Sequence, residues 1–166
     1  MEQLRLALPL EFLRARVALT WRDVRFGLDN ELLDPQAAQG LAMAELGAFD
    51  APAAALSDLA AAQRDEPTRR LVDALAEAEA ERTDEELRAR WLYLVLAWLY
   101  DNRARLADPF AVVEAIHADF GYPEEMEGFV RYMPAAPGAR PGEAAMFARW
   151  AAYVEAAGKR YRPPPP

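Results

Sequence analysis

The clearest feature of the hydropathy pattern is an uncharged run at residues 91–100, inside the segment RWLYLVLAWLYDN. At 100° per residue, ten consecutive apolar or aromatic side chains point in every direction around a helix, and such a helix is surrounded by neighbours in a folded core. A membrane span is excluded, because ten residues rising about 1.5 Å each cover only about half of a bilayer core. The run therefore predicts a central buried helix near residues 84–106.

Capping residues and prolines mark the starts of the other helices. Asp34 and Asp108 each precede a proline, which suits the first helical turn because its missing N–H would have had no partner there. Thr20 in TWRD and Thr83 in TDEE are further N-caps, and the second has the glutamate of a capping box. β-Branched residues are scarce and alanine is abundant, which favours helix. The predicted helices lie near residues 9–16, 21–30, 35–47, 52–65, 67–82, 84–106, 109–120, 123–131 and 143–158.

The length of 166 residues suits one domain. We expect a single compact all-α domain over residues 1–162, packed round the central helix. The proline-rich segment 132–142 predicts a loop, and residues 163–166 a disordered, extended proline tail. The absence of cysteine excludes disulfides, thiolate catalysis and cysteine-based zinc sites.

The net charge of −8 disfavours a nucleic acid partner, because an acidic surface repels the phosphate backbone. The N-terminal segment MEQLRLALPLEFLRAR has no apolar core of signal-peptide length. We therefore expect a cytoplasmic protein that binds neither nucleic acid nor membrane. The same charge favours a basic protein as the partner.

The only histidine, His117, belongs to the tetrapeptide EAIH at residues 114–117. Glu-x-x-His on a helix is half of the ligand set of a di-iron bundle, but a second such motif cannot exist here. A half-exposed structural histidine is the preferred interpretation. Ser57, the only serine, lacks triad-like surroundings, and the glycines form no phosphate-binding loop. No catalytic, metal or cofactor site is predicted.

Residues 19–44 read as two helices joined by a short turn, and arginines nearby supply a local basic patch. A DNA-binding recognition helix needs cations for phosphates and guanine edges. The second helix, 35–47, has no lysine or arginine and contains Glu45. An ordinary pair of antiparallel helices is therefore the preferred interpretation. The arginines of the patch are Arg14, Arg16, Arg22 and Arg25.

Negative charge is concentrated in two segments. Residues 65–86 hold nine acids against three arginines, and residues 119–128, DFGYPEEMEG, hold four acids and no base. Clustered carboxylates can steer a basic partner, although a solvated surface is their commoner role. The second segment interleaves aromatic and acidic residues, which suits a binding hot spot. The predicted partner-binding residues are Asp119, Tyr122, Glu124, Glu125, Glu127 and Tyr132.

Two blocks of the sequence resemble a bacterial family, the domain of unknown function 2247. They are LTWRDVRFGLDNELLDP at 19–35 and RWLYLVLAWLYDNRARLADPFAVVEAIHADFGYPEEMEGFVRYMP at 90–134. The resemblance implies a small, soluble bacterial protein with no established activity. Families of this kind are often associated with polymorphic toxin systems, in which a small acidic protein neutralises a toxin domain.

The expected function is non-catalytic protein binding, most concretely that of an immunity protein that covers the basic face of a partner toxin. The alternative is an enzyme of unknown type. With 27 acids in the chain, clustered carboxylates could run acid–base chemistry, with or without a divalent metal. The sequence does not indicate the oligomeric state or the identity of the toxin.

Overall fold

The computed structural model describes residues 6–46, 54–63 and 68–165. These residues form eight α-helices and two 3-10 segments, with no β-strand among them, and the predicted all-α class is confirmed. The α-helices are α1 (Leu10–Arg16), α2 (Trp21–Asp29), α3 (Pro35–Leu46), α4 (Ala54–Ala61), α5 (Thr68–Glu77), α6 (Asp84–Asp101), α7 (Pro109–Asp119) and α8 (Glu143–Tyr161). The 3-10 segments are Arg103–Arg105 and Glu124–Phe129.

The predicted N-caps begin their helices. At α2, the Thr20 hydroxyl accepts the Asp23 backbone N–H at 3.2 Å, and the Asp23 carboxylate accepts the Thr20 backbone N–H at 3.0 Å. Thr83 and Glu86 exchange the same two bonds at α6. Asp108 accepts a backbone N–H of the first turn of α7 at 3.2 Å. Local side chains thus satisfy donors that the first helical turn leaves free.

The predicted C-terminal end of α6 is wrong by several residues. The helix ends at Asp101 rather than at 106, and a 3-10 turn follows it. The Asn102 side chain donates to the Trp98 carbonyl at 2.9 Å, and the Arg103 guanidinium donates to the Tyr100 carbonyl at 2.6 Å. The Trp98 carbonyl also accepts the Asn102 backbone N–H at 3.1 Å, whereas the Tyr100 carbonyl, which a longer helix would have paired with a backbone N–H, accepts the arginine instead.

Other boundaries also differ from the predictions. The helix expected at 52–65 ends at Ala61, and residues 52, 53, 64 and 65 of that prediction lie outside the described residues. Helix α5 ends at Glu77 rather than at 82, and α8 continues to Tyr161 rather than ending at 158. The expected helix at 123–131 is the shorter 3-10 segment Glu124–Phe129. Its residues Met126 and Phe129, three apart, are both buried, whereas the glutamates around them are exposed. That spacing repeats once per turn of a 3-10 helix.

Contacts divide the described residues into two compact units, one reaching Leu87 and including the C-terminal prolines, the other being Arg88–Arg162. The single-domain organisation stays a prediction. In the first unit, α3 packs against α1, α4 and α5, while α5 also packs against α2 and α4. Its core is aliphatic apart from Trp21. Fully buried members include Leu13, Val24, Ala38, Leu59 and Val72.

The second unit has an aromatic core centred on Trp150 of α8, which is fully buried. Its ring stacks on Phe129 and Phe147, each at 6.1 Å between centroids, and meets Tyr100 edge-on at 5.3 Å. Its indole N–H donates to the Leu96 carbonyl at 3.1 Å. The indole N–H therefore has the hydrogen-bond acceptor that a buried tryptophan needs.

Helix α8 contains Gly158 in its last turns. A Cβ added there would lie 3.2 Å from the hydroxyl oxygen of Tyr93, which is 1% exposed. The Tyr93 ring stacks on Tyr161 at 5.7 Å between centroids. The glycine therefore makes room for a buried tyrosine against the helix backbone.

The burial predicted for the uncharged run is confirmed for residues 91–97 and for Leu99. Trp98 and Tyr100 are partly exposed, and the Arg103 guanidinium lies 3.9 Å from the centroid of the Tyr100 ring. Among residues 6–46, 54–63 and 68–165, none of the helices combines the length and the apolar character that a bilayer crossing requires.

Candidate functional site

The six predicted partner-binding residues lie close together in the chain, from the end of α7 to the segment after the second 3-10 turn. All six side chains are exposed. Asp119 is the last residue of α7, and the three glutamates lie on the 3-10 segment. We call this set the Tyr–acid surface: Asp119, Tyr122, Glu124, Glu125, Glu127 and Tyr132.

The end of α7 fixes the position of Tyr122. Gly121 and Tyr122 are both left-handed, with φ of 78° and 60°. The backbone N–H groups of these residues donate to Ala118 and His117 at 3.1 and 2.8 Å, so carbonyls of the last turn are satisfied. A left-handed tyrosine costs about 1–2 kcal/mol, yet its side chain remains 64% exposed. Such strain persists only where the surrounding structure determines the backbone.

His117 is buried and contacts both tyrosines of the Tyr–acid surface. It is 1% exposed, and its Nδ1 lies 2.5 Å from the hydroxyl oxygen of Tyr132. Its ring centroid lies 5.3 Å from that of Tyr122 and 5.7 Å from that of Tyr132. Nε2 is buried and has no hydrogen-bond partner among the described residues.

The expectation of a half-exposed histidine is wrong, because the two tyrosine rings pack against the imidazole. A sequence signal could have found this burial. His117 follows the buried Phe110 and Val113 at intervals of seven and four residues, which places all three on one helix face. The histidine therefore belongs to the apolar face of α7.

Arg131 engages the glutamate of the EAIH motif. Its guanidinium donates to both carboxylate oxygens of Glu114, at 2.8 and 3.2 Å, and to Asp108 at 3.0 Å. The hydrogen bonds that Arg131 donates to Glu114, followed by those to Asp108, raise the pKa of Arg131. Glu114 and His117 thus have different partners. Within the described residues, no group of three or more acidic or histidine side chains could hold a metal ion.

The phenol of Tyr132 is not prepared for nucleophilic chemistry. Desolvation of the hydroxyl raises the pKa of Tyr132, and the nearby Tyr122 and Glu114 raise it further. An activated nucleophile needs a lowered pKa or a base that a third group orients. Since His117 Nε2 has no described partner, no such group orients the imidazole. The arrangement instead keeps a neutral phenol in a fixed position.

Two arginines from other parts of the chain lie at the edges of the acidic segment 119–128, which contains no lysine or arginine. An Arg88 guanidinium nitrogen lies 3.8 Å from where a Cβ of Gly121 would be, and Arg149 donates to the Gly128 carbonyl. The four carboxylates of the Tyr–acid surface nevertheless form no ion pair with a described residue. Their charge therefore remains available to a partner.

The other acidic segment, 65–86, uses much of its charge inside the first unit, and its residues 65–67 lie outside the described residues. Glu79 accepts the backbone N–H groups of Trp21 and Arg22 at 3.0 and 3.2 Å. Glu77 pairs with Arg25 at 2.8 Å, and Asp73 pairs with an arginine one turn away at 3.0 Å. These acids serve mainly to cap and join helices.

Two of the four arginines of the basic patch expected near α2 are held by Glu79 or Glu77. Arg22 is 9% exposed and donates to the Glu79 carbonyl at 3.2 Å, while Arg25 is held by Glu77. A cleft of about 450 Å³ beside them also contains Asp29 and the arginine Arg69, which form an ion pair. The mixed, largely paired charges make this cleft a weaker candidate than the Tyr–acid surface.

Comparisons with known proteins place the chain in a family. No curated protein and no solved structure shows significant similarity to it. The sequence model of a family described as an uncharacterized protein conserved in bacteria matches residues 10–158. This match includes both blocks on which the expected resemblance rested, and it extends through the segment between them. The chain therefore belongs to the DUF2247 family.

Proposed function

We propose that this protein is a non-catalytic binding protein, most concretely a cytoplasmic immunity protein that neutralises a partner toxin by covering its basic face. One observation carries the proposal. Four exposed carboxylates without an ion pair to a described residue occupy the same short stretch of chain as two exposed tyrosines, both of which contact a buried histidine.

Each component of the surface has a physical role in such a complex. Carboxylates without internal partners attract a basic surface and accelerate its encounter. Tyrosines supply large contact areas with few rotatable bonds, and positions fixed before binding reduce the entropy lost on association. The left-handed backbone of Tyr122 and the bond from Tyr132 to His117 supply that fixation.

The test is protection of cells that express this chain together with a candidate toxin domain that has a basic face. We expect Glu124→Lys with Glu125→Lys to abolish protection and to slow association of the purified proteins, because two attractions become repulsions. The matched control is Glu81→Lys with Glu85→Lys, which makes the same charge change at exposed positions of the other acidic segment. It should protect like the wild type.

Full protection by the Glu124/Glu125 variant would show that this surface is not the binding site. Loss of protection in the control alone would move the site to the segment 65–86. The enzyme alternative makes a different prediction: a stoichiometric divalent metal in the purified protein, bound through carboxylates, would favour it over immunity.

A further inference from the structure

The geometry points to arginine, rather than lysine, as the partner side chain that the Tyr–acid surface receives, stacked on the exposed ring of Tyr132 beside Tyr122. This inference rests on the proposed function, because it names the chemistry of the basic group that the same surface would bind. It also assigns His117 as a positioning residue, since the imidazole contacts both rings.

Tyr132 is exposed as a residue although its hydroxyl is held by the protein. Surface tyrosines usually keep the hydroxyl in water and the ring against the protein. Here the hydroxyl oxygen lies 2.5 Å from the Nδ1 of the buried His117, while the residue as a whole is 54% exposed. A partner that contacts this residue meets a ring whose hydroxyl is already bonded and whose face carries partial negative charge.

The second ring lies within reach of the same ligand. Tyr122 and Tyr132 both contact His117, so their centroids lie no farther apart than the sum of the two distances to the imidazole, 5.3 and 5.7 Å. Cations interact favourably with an aromatic face up to about 6 Å from its centroid. Because the sum is 11.0 Å, a cation midway between the two centroids would lie within about 6 Å of each ring.

Carboxylates that follow Tyr122 closely in the chain make a cation the preferred ligand. Glu124 and Glu125 follow Tyr122 after a single proline, and neither pairs with a described residue. A guanidinium is planar and weakly hydrated, so it can stack on a ring and donate to a carboxylate at once. An ammonium group retains its water more strongly and has no flat face to stack. The carboxylates therefore favour a cation of either kind, and the ring favours arginine over lysine.

The experiment measures the affinity of the full chain for two peptides of equal length and charge, one with three Gly-Arg repeats and one with three Gly-Lys repeats. Calorimetry at low salt supplies both dissociation constants. We expect the arginine peptide to bind about two- to fivefold more tightly, the range of a cation–π contact at an exposed site. Glu124→Gln with Glu125→Gln should weaken both peptides and preserve their ratio.

Tyrosine variants identify the source of the preference. Tyr122→Asn with Tyr132→Leu should bring the ratio of the two dissociation constants to about one. Tyr122→Asn alone suits the left-handed backbone, so it tests the contribution of one ring in a chain that keeps its fold. This single substitution should lower the preference for the arginine peptide, measured as the ratio of the two dissociation constants. The control, Glu81→Lys with Glu85→Lys, should leave the ratio unchanged.

Equal affinities of the wild type for the two peptides would overturn the inference, and so would a preference that survives the tyrosine double variant. These results are distinct from failure of the proposed function. If the Glu124/Glu125 lysine variant abolishes protection while the peptides bind equally, the immunity proposal stands without arginine selectivity. If that variant protects fully, the immunity site is wrong whichever peptide binds better.

Discussion

Trp21 and Trp150 show two ways of burying the same side chain. In the first unit, the indole N–H of Trp21 donates to the Glu45 carboxylate at 3.0 Å, and its backbone N–H donates to Glu79 at 3.0 Å. In the second unit, Trp150 lies among aromatic rings and donates to a backbone carbonyl, that of Leu96, at 3.1 Å. One tryptophan depends on charged acceptors, and the other on a neutral acceptor.

This difference predicts different sensitivities. Charged acceptors bind more strongly than neutral ones, but their contribution depends on their own ionisation and on the neighbouring charges. Aromatic packing and a backbone carbonyl do not titrate. We therefore expect the first unit to respond to charge and pH, and the second to respond to changes in side-chain volume.

The largest expected effect is that of Trp150→Ala. The substitution removes a fully buried ring and leaves a cavity, which should lower the free energy of unfolding by about 3–5 kcal/mol. Urea denaturation followed by circular dichroism measures the loss. Trp150→Phe keeps an aromatic ring and is the control, expected to lose less than half as much. An alanine variant as stable as the phenylalanine variant would show that aromatic packing does not organise this unit.

The next effect is that of Glu79→Ala. Glu79 caps α2 although it lies far from that helix in the sequence, because its carboxylate accepts two backbone N–H groups of the first turn of α2. Losing hydrogen bonds to a charged group should cost about 1.5–3 kcal/mol. The control is Glu81→Ala, an exposed position two residues away, whose effect should stay within about 0.5 kcal/mol. Urea denaturation measures both losses of stability. Equal losses in the two variants would show that the charged acceptor Glu79 does not stabilise the first unit as proposed.

The smallest effect concerns pH. Burial raises the pKa of Glu45, the hydrogen bond from Trp21 partly lowers it, and the charge of Glu79 raises it again. The folded state therefore keeps this proton to higher pH than the unfolded state does. Ionisation then lowers the free energy of unfolding as the pH rises from about 4 towards 7.

Glu45→Gln should flatten that part of the pH dependence, because glutamine still accepts the indole hydrogen bond but does not titrate. Thermal unfolding of the variant and the wild type at several pH values between about 4 and 7 measures the difference. The wild type should lose stability relative to the variant as the pH rises. The opposite slope would mean that Trp21 and other partners outweigh burial at this carboxylate.

The fold was predictable wherever a signal was local. The capping box at Thr83 involves residues three apart, and the burial of residues 91–97 follows from a continuous apolar run. The end of α6 was not predictable in this way. The Arg103 side chain bonds the Tyr100 carbonyl at its end, although arginine and the following residues are compatible with a longer helix.

The candidate site was predictable only in part. Exposure of Tyr122 and the glutamates follows from a polar segment after a Gly-Tyr-Pro turn. The bond between His117 and Tyr132 joins residues fifteen apart, and Arg131 reaches back to Asp108 across α7. No pattern along the chain specifies which of many arginines and carboxylates will meet. Tertiary packing makes that choice.

Gly158 has a consequence for how the sequence can change over generations. Alanine favours a helix interior by about 1 kcal/mol over glycine, so drift towards alanine would be expected in an Ala-rich helix such as α8. The Tyr93 hydroxyl oxygen, 3.2 Å from the place of the missing Cβ, opposes that drift. We therefore expect positions 93 and 158 to vary together: a smaller residue at 93 would let the helix accept alanine at 158 without displacing a buried ring.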